Sequence, residues 1–324
     1  MKVTYCISVK NTTGRNKQTP GLNSNATDPE MPHSKHSYSF LFMILLVLSA
    51  CSSTEFLPRQ RKAKAIADTS GWSYQSIAAK QFDLIAVASP RGNGTGQLTI
   101  YVEGDGLAFL GPRTISSDPT PDDPTALRLA LGHPGGSTAY LTRPCQYQMA
   151  GSGRNCHPSY WTSHRYAPEV IESMGQAVDV LKDRAGAQRL VLVGYSGGGA
   201  IAVLLAARRS DVVGIVTVAA NLDLRYWTST EKLAPLSGSL DPADAAHDVE
   251  TIPQVHFVGR ADDVVAPGVV RSYISHMVDS SKVRVIEVPG FGHVCCWAGK
   301  WPELSGRSDL KIIPGWAIPA GNLR

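Results

Sequence analysis

Ser196 stands in the setting that a nucleophilic hydroxyl needs. Residues 189–193 (Arg-Leu-Val-Leu-Val) read as a buried strand, Gly194-Tyr195-Ser196-Gly197-Gly198 as one tight turn, and 199–208 as a helix of small residues. Glycines at 194 and 198 allow strand and helix to close around a turn whose central residue is held at a strained backbone angle. Such a turn leaves the hydroxyl exposed at a helix N-terminus, where the backbone N–H of Gly197 can receive an oxyanion. A hydroxyl is a weak nucleophile until a base takes its proton, and the base needs an acid to fix its tautomer. Both residue types follow. Residues 254–258 form a short apolar strand that ends at Gly259, and Asp262 stands three residues later with Asp263 beside it. A second β-rich run, 282–288, leads into Pro289-Gly290-Phe291-Gly292-His293. Of the nine histidines, only His293 follows the acid in a loop that glycines leave free to reach the serine. The others lie upstream of Ser196, in the Asp/Ala-rich stretch around His247, or inside expected strands and helices, as His256 and His276 do. Asp263 and Asp223 remain alternatives to Asp262 as the acid.

The chain order Ser196, Asp262, His293 resembles that of the α/β-hydrolase superfamily over residues 81–300. The resemblance implies an α/β fold with a mostly parallel, doubly wound sheet, helices on both faces and ligands at the carboxyl ends of the strands. Strands are expected at 82–88, 97–102, 138–141, 189–193, 212–218, 254–258 and 282–288. Helices are expected at 125–131, 168–183, 199–208, 269–277 and 297–304. Only about thirty residues, 221–251, connect one late strand to the next, so any cap is small or absent. The strand 97–102 empties into Glu103-Gly104-Asp105-Gly106, which by position resembles the His-Gly loop of the superfamily, with Glu103 where a histidine is usual. By that resemblance Asp105 and Gly106, with Gly197, form the oxyanion hole, and Glu103 pins the loop. Two carboxylates so placed predict a negative local potential that disfavours anionic substrates. The short 221–251 connection predicts short acyl groups.

Other glycine clusters carry no nucleotide chemistry. Gly92-Asn93-Gly94-Thr95-Gly96 precedes a strand with no helix after it, and Gly197-Gly198-Gly199 lacks the Lys-Ser/Thr of a phosphate loop. No spacing suggests a metal site, and no cofactor is expected. The chain of 324 residues has a net charge of +4, which falls to +1 once the first fifty residues are set aside, so a nucleic-acid partner is not expected.

The N-terminus predicts export. Residues 40–48 form an apolar run too short to span a bilayer, followed by Leu48-Ser49-Ala50-Cys51, which resembles a bacterial lipobox. The resemblance implies lipidation of Cys51 and, with no aspartate after it, an outer-membrane anchor facing the periplasm. Residues 1–50 are then a leader with Met31 as the better start, 51–80 a tether and N-terminal segment, and 81–324 the hydrolase domain. Four further cysteines fit an oxidising compartment and allow three connectivities. Cys145 and Cys156 bracket a polar loop with little reason to be ordered unless stapled, and Cys295-Cys296 could bridge beside His293. The reading is an envelope serine hydrolase that cleaves a small-molecule carboxylic ester, or an amide, through an acyl-enzyme. A catalytically silent binding module and a serine peptidase are the alternatives, and oligomeric state is left open.

Overall fold

The computed structural model describes residues 58–90, 96–148 and 153–316. The leader, the Met31 start, Cys51 and most of the Gly92–Gly96 cluster lie outside the described residues. Helix α1 (Arg59–Ser70) leads into β1 (Ser73–Ala79), β2 (Phe82–Ala88) and β3 (Gln97–Val102). A small hairpin of β4 (Phe109–Gly111) and β5 (Thr114–Ile115) precedes α2 (Thr125–Leu131) and β6 (Ser137–Leu141). Then come α3 (Pro168–Ala185), β7 (Arg189–Tyr195), α4 (Gly197–Ala206), β8 (Val212–Val218) and α5 (Leu224–Thr230). The fold closes with β9 (Gln254–Gly259), α6 (Gly268–Ile274), β10 (Val283–Val288) and α7 (Trp297–Leu304).

Eight strands make one sheet in the order β1-β2-β6-β3-β7-β8-β9-β10, with β4 and β5 apart from it. The sheet is mostly parallel, as expected, and β2 is the exception, since it runs against both β1 and β6. Its link to β1 is a two-residue turn, and so short a connection can only return antiparallel. Residues 59–79 add a helix and an edge strand ahead of position 81, with β1 paired to β2 from Ser73↔Ala88 to Ala79↔Phe82. The helix gives little apolar signal in the sequence, since it buries only Ala63 and Ala67.

Alternation along β7 divides the core into two layers. Leu190 and Leu192 face α3 and α4, while Val191, Val193 and Tyr195 face α2 and α7. Helix α4 begins with three glycines, poor helix formers, yet every residue in it is buried, so packing rather than propensity holds it. The chain leaves β3 toward β6 on one side and returns to β7 on the other, so the sheet reverses its winding between β3 and β7. That reversal opens a crevice at their carboxyl ends.

One histidine is buried in this core and a second packs against its edge. His256 on β9 is fully buried, with Nδ1 2.8 Å from the Thr217 hydroxyl, and burial pulls it down to about 3. His133, hydrogen-bonded to Tyr101 at 2.9 Å, is pulled down to about 4, again by burial. Against an ordinary value of 6.5, the unfolded chain binds the extra protons, so this stabilisation is complete above pH 6.5 and is lost as pH falls toward 3. The urea midpoint is expected to drop between pH 7.5 and 4.5, and His256→Gln should flatten the drop by about one proton. An unaltered slope in that variant would remove His256 from the account.

Candidate active site

The end of β7 dictates where Ser196 can sit. A Cβ at Gly194 would overlap the backbone of Gly198 and Gly199, so only glycine lets the strand and α4 pack this closely. Ser196 itself is forced to φ 51° and ψ −124°, a conformation that costs ~1–3 kcal/mol in a non-glycine residue. Its Oγ lies 2.9 Å from His293 Nε2, and His293 Nδ1 lies 2.9 Å from Asp262 Oδ2. The Asp262 side chain is fully buried, and its other oxygen accepts from the backbone N–H groups of Val264 at 2.9 Å and Val265 at 2.8 Å. Those bonds fix the carboxylate so that its second oxygen is left for the imidazole. The alternatives fall elsewhere: Asp263 is exposed, and Asp223 caps α5 through Tyr226 N–H while accepting from Ser272.

The loop carrying His293 is held by residues that the motif left unassigned. The Tyr195 hydroxyl donates to the His293 carbonyl at 3.0 Å, and the Trp297 indole donates to the Gly292 carbonyl at 3.0 Å. Cys295 and Cys296 are joined directly after the histidine, and Cys145 is joined to Cys156. Tyr195 occupies the free position of the five-residue turn, so no pattern of residue types marks it.

The loop after β3 approaches the serine from the other side. The Asp105 carboxylate packs so tightly on the turn that a Cβ at Gly197 would overlap it. Arg143 reaches it at 3.0 Å, Arg165 at 2.7 Å and the Tyr166 hydroxyl at 3.0 Å, and both arginine side chains are buried. Burial works to raise the Asp105 carboxyl, but Arg165 and Arg143 outweigh it and hold it below the usual carboxylate range. The expected pair of free carboxylates is therefore corrected: Arg143 and Arg165 both pair with Asp105. Neither arginine could be assigned from the sequence, because they arrive 38 and 60 residues downstream. Glu103 is fully buried and accepts from Gly104 N–H at 2.9 Å, Ala126 N–H at 3.3 Å and the Tyr140 hydroxyl at 3.0 Å. Burial pushes its carboxyl up to about 7 despite those donors. It ties the root of the loop to α2. Among the described residues, no protein acceptor takes the backbone N–H of Asp105 or of Gly197.

No protein-family model and no curated protein matches the chain. Solved structures do. An esterase of Pyrococcus furiosus is similar with a TM-score of 0.53 at 14% identity, over 76% of this chain and 93% of its own. The protein Est1E of Butyrivibrio proteoclasticus is similar with a TM-score of 0.51 at 14% identity, over 71% of this chain and 95% of its own. The chain has the α/β-hydrolase fold. A structure titled a membrane phospholipase A is also similar, with a TM-score of 0.50 at 14% identity, over 79% of this chain and 92% of its own. In this fold the three side chains meet past the carboxyl end of β7, with the loop after β3 packed beside Ser196. A hydroxyl in hydrogen-bond reach of an oriented imidazole can attack a carbonyl carbon, and unpaired N–H groups nearby can hold the oxygen that becomes charged.

Proposed function

We propose that the protein is a serine hydrolase of the cell envelope that cleaves a carboxylic ester through an acyl-enzyme, anchored by lipid at Cys51. The supporting observation is the pair of 2.9 Å hydrogen bonds that link Ser196 to His293 and His293 to the buried Asp262. His293 takes the Ser196 proton as Oγ attacks the ester carbonyl. Asp262 steadies the imidazolium, and the N–H groups of Gly197 and Asp105 hold the oxyanion. His293 then returns the proton to the departing alkoxide, and water repeats the sequence to release the acid. Gly106 serves by letting the loop turn at φ 70°, with its Cα against the Pro119 carbonyl.

Labelling by a fluorophosphonate, followed by a series of p-nitrophenyl esters, tests this reading. A protein that takes no label and turns over no ester would overturn it. The anchor is tested separately: Cys51→Ala should lose metabolic palmitate label and accumulate as unprocessed precursor.

The charge around Asp105 also bears on substrate choice. With Asp105 paired to two arginines, a succinyl ester should match or exceed the butyryl ester in kcat/KM at low salt. A succinyl ester at a tenth of the butyryl value would mean that the arginine charge does not reach the substrate.

A further inference from the structure

The hairpin of β4 and β5 is built unlike the rest of the surface. Residues 109–115 read Phe-Leu-Gly-Pro-Arg-Thr-Ile, and Phe109, Leu110 and Ile115 are 41%, 63% and 47% exposed. Single exposed apolar residues are ordinary, but three within seven residues, on a ribbon detached from the main sheet, form a patch. Its stalk is firm. Ser116 N–H donates to the Ala108 carbonyl at 3.0 Å, the Trp161 indole donates to the Ser116 carbonyl at 2.9 Å, and Ala108, Trp161 and Cys145 pack together.

The hairpin leaves the chain close to the proposed site. Ala108 stands three positions after Asp105, so the stalk begins within about 11 Å of the proposed oxyanion donor. Beside His293, Val294 is 71% exposed. The chain also enters the domain here. Arg59 donates to the Thr120 carbonyl at 2.8 Å and pairs with Asp118 at 3.3 Å, and Gln60 donates to Asp118 at 2.6 Å. Asp118 lies three residues past the hairpin.

Charge indicates what covers the patch. The first two turns of α1 carry Arg59, Arg61, Lys62 and Lys64 and no acid, although cations at a helix N-terminus oppose its dipole. Arg59 pairs with Asp118 and Asp122, Lys62 donates to the Asp122 carbonyl and Lys64 pairs with Asp68, while Arg61 is exposed and makes no ion pair with the described residues. Arg113 at the hairpin tip is exposed and makes no ion pair with the described residues. Apolar side chains flanked by cations match the boundary between the acyl chains and phosphates of an anionic bilayer.

We propose that the 109–115 hairpin is an interfacial foot that seats the active-site edge on an anionic phospholipid surface. Phe109, Leu110 and Ile115 enter the acyl boundary, while Arg113 and Arg61 meet the phosphates. The site then draws its ester from the plane of the membrane. The envelope reading supplies only the source of the bilayer; the contact itself needs neither lipidated Cys51 nor an active Ser196.

Amide hydrogen exchange over 107–116, in the full chain mixed with vesicles, reads the contact directly. Exchange should be about tenfold slower with phosphatidylglycerol-containing vesicles than with pure phosphatidylcholine. Arg113→Gln should lose about fivefold of that protection, and the Phe109→Ser/Leu110→Ser pair nearly all of it. Both variants should keep the wild-type unfolding temperature because the side chains are exposed. Equal exchange with the two vesicles would overturn the proposal. So would protection without vesicles, since the patch would then be covered by residues 1–57 or by a second copy of the chain. Fluorophosphonate labelling of the wild type in detergent separates these failures from a failure of the hydrolase reading.

Discussion

Ser196→Ala is expected to abolish both fluorophosphonate labelling and ester turnover, and His293→Ala to lower kcat by a factor on the order of 10⁴–10⁶. The effects should not add. Once the serine or its base is gone the relay no longer functions, and only binding and the N–H donors contribute. Asp262→Asn should cost a factor of about 10⁴, because an amide in place of the carboxylate turns the imidazole toward the wrong tautomer. Asp263→Asn should leave kcat within about twofold, since Asp263 is exposed and Asp262 alone reaches His293. A fall of kcat in Asp263→Asn equal to that in Asp262→Asn would break the assignment of the acid. Stopped-flow burst kinetics with a p-nitrophenyl ester distinguishes lost acylation from lost deacylation in each variant.

The second large effect concerns Asp105. Its carboxylate is the shared partner of Arg143 and Arg165, whose side chains are 4% and 8% exposed. Asp105→Ala leaves two buried like charges facing each other, and breaking a buried pair in this way costs about 3–5 kcal/mol. In a domain of this size that lowers the melting temperature by on the order of 10 °C. The same variant should lose about 10²-fold in kcat, because the loop that aims the Asp105 N–H is no longer clamped. Calorimetry and kcat read the two effects independently. A melting temperature within about 2 °C of wild type would show that the arginines find other partners.

The sheet was legible in the sequence where strands are covered on both faces. The runs around β3, β7, β8 and β9 are mostly apolar, and their bounds differ from expectation by two residues at most. Where an element buries little, the sequence carried little signal: α1 hides two alanines, and β4 and β5 hide nothing. The positions of Ser196, Asp262 and His293 could be read because glycine turns and residue order constrain them. The partners that fix those residues could not, since Tyr195, Trp297, Arg143 and Arg165 act through tertiary distance rather than local pattern. The error about local charge arose in the same way. A carboxylate was visible in the loop, but its two counter-ions come from loops far along the chain.

Glu103 gives the protein a stability optimum close to neutral pH. Its carboxyl, raised to about 7 from an ordinary 4.5, makes a contribution that is complete below pH 4.5 and is lost as pH climbs through 7. His133 and His256 act in the opposite sense below 6.5. Taken together, these three groups place the maximum near pH 6.5. On its alkaline side, each molecule that ionises Glu103 gains a charged acceptor for the Gly104 N–H, and hydrogen bonds to a charged acceptor are about twice as strong. The oxyanion loop is thus gripped most firmly under conditions where the domain as a whole has begun to weaken.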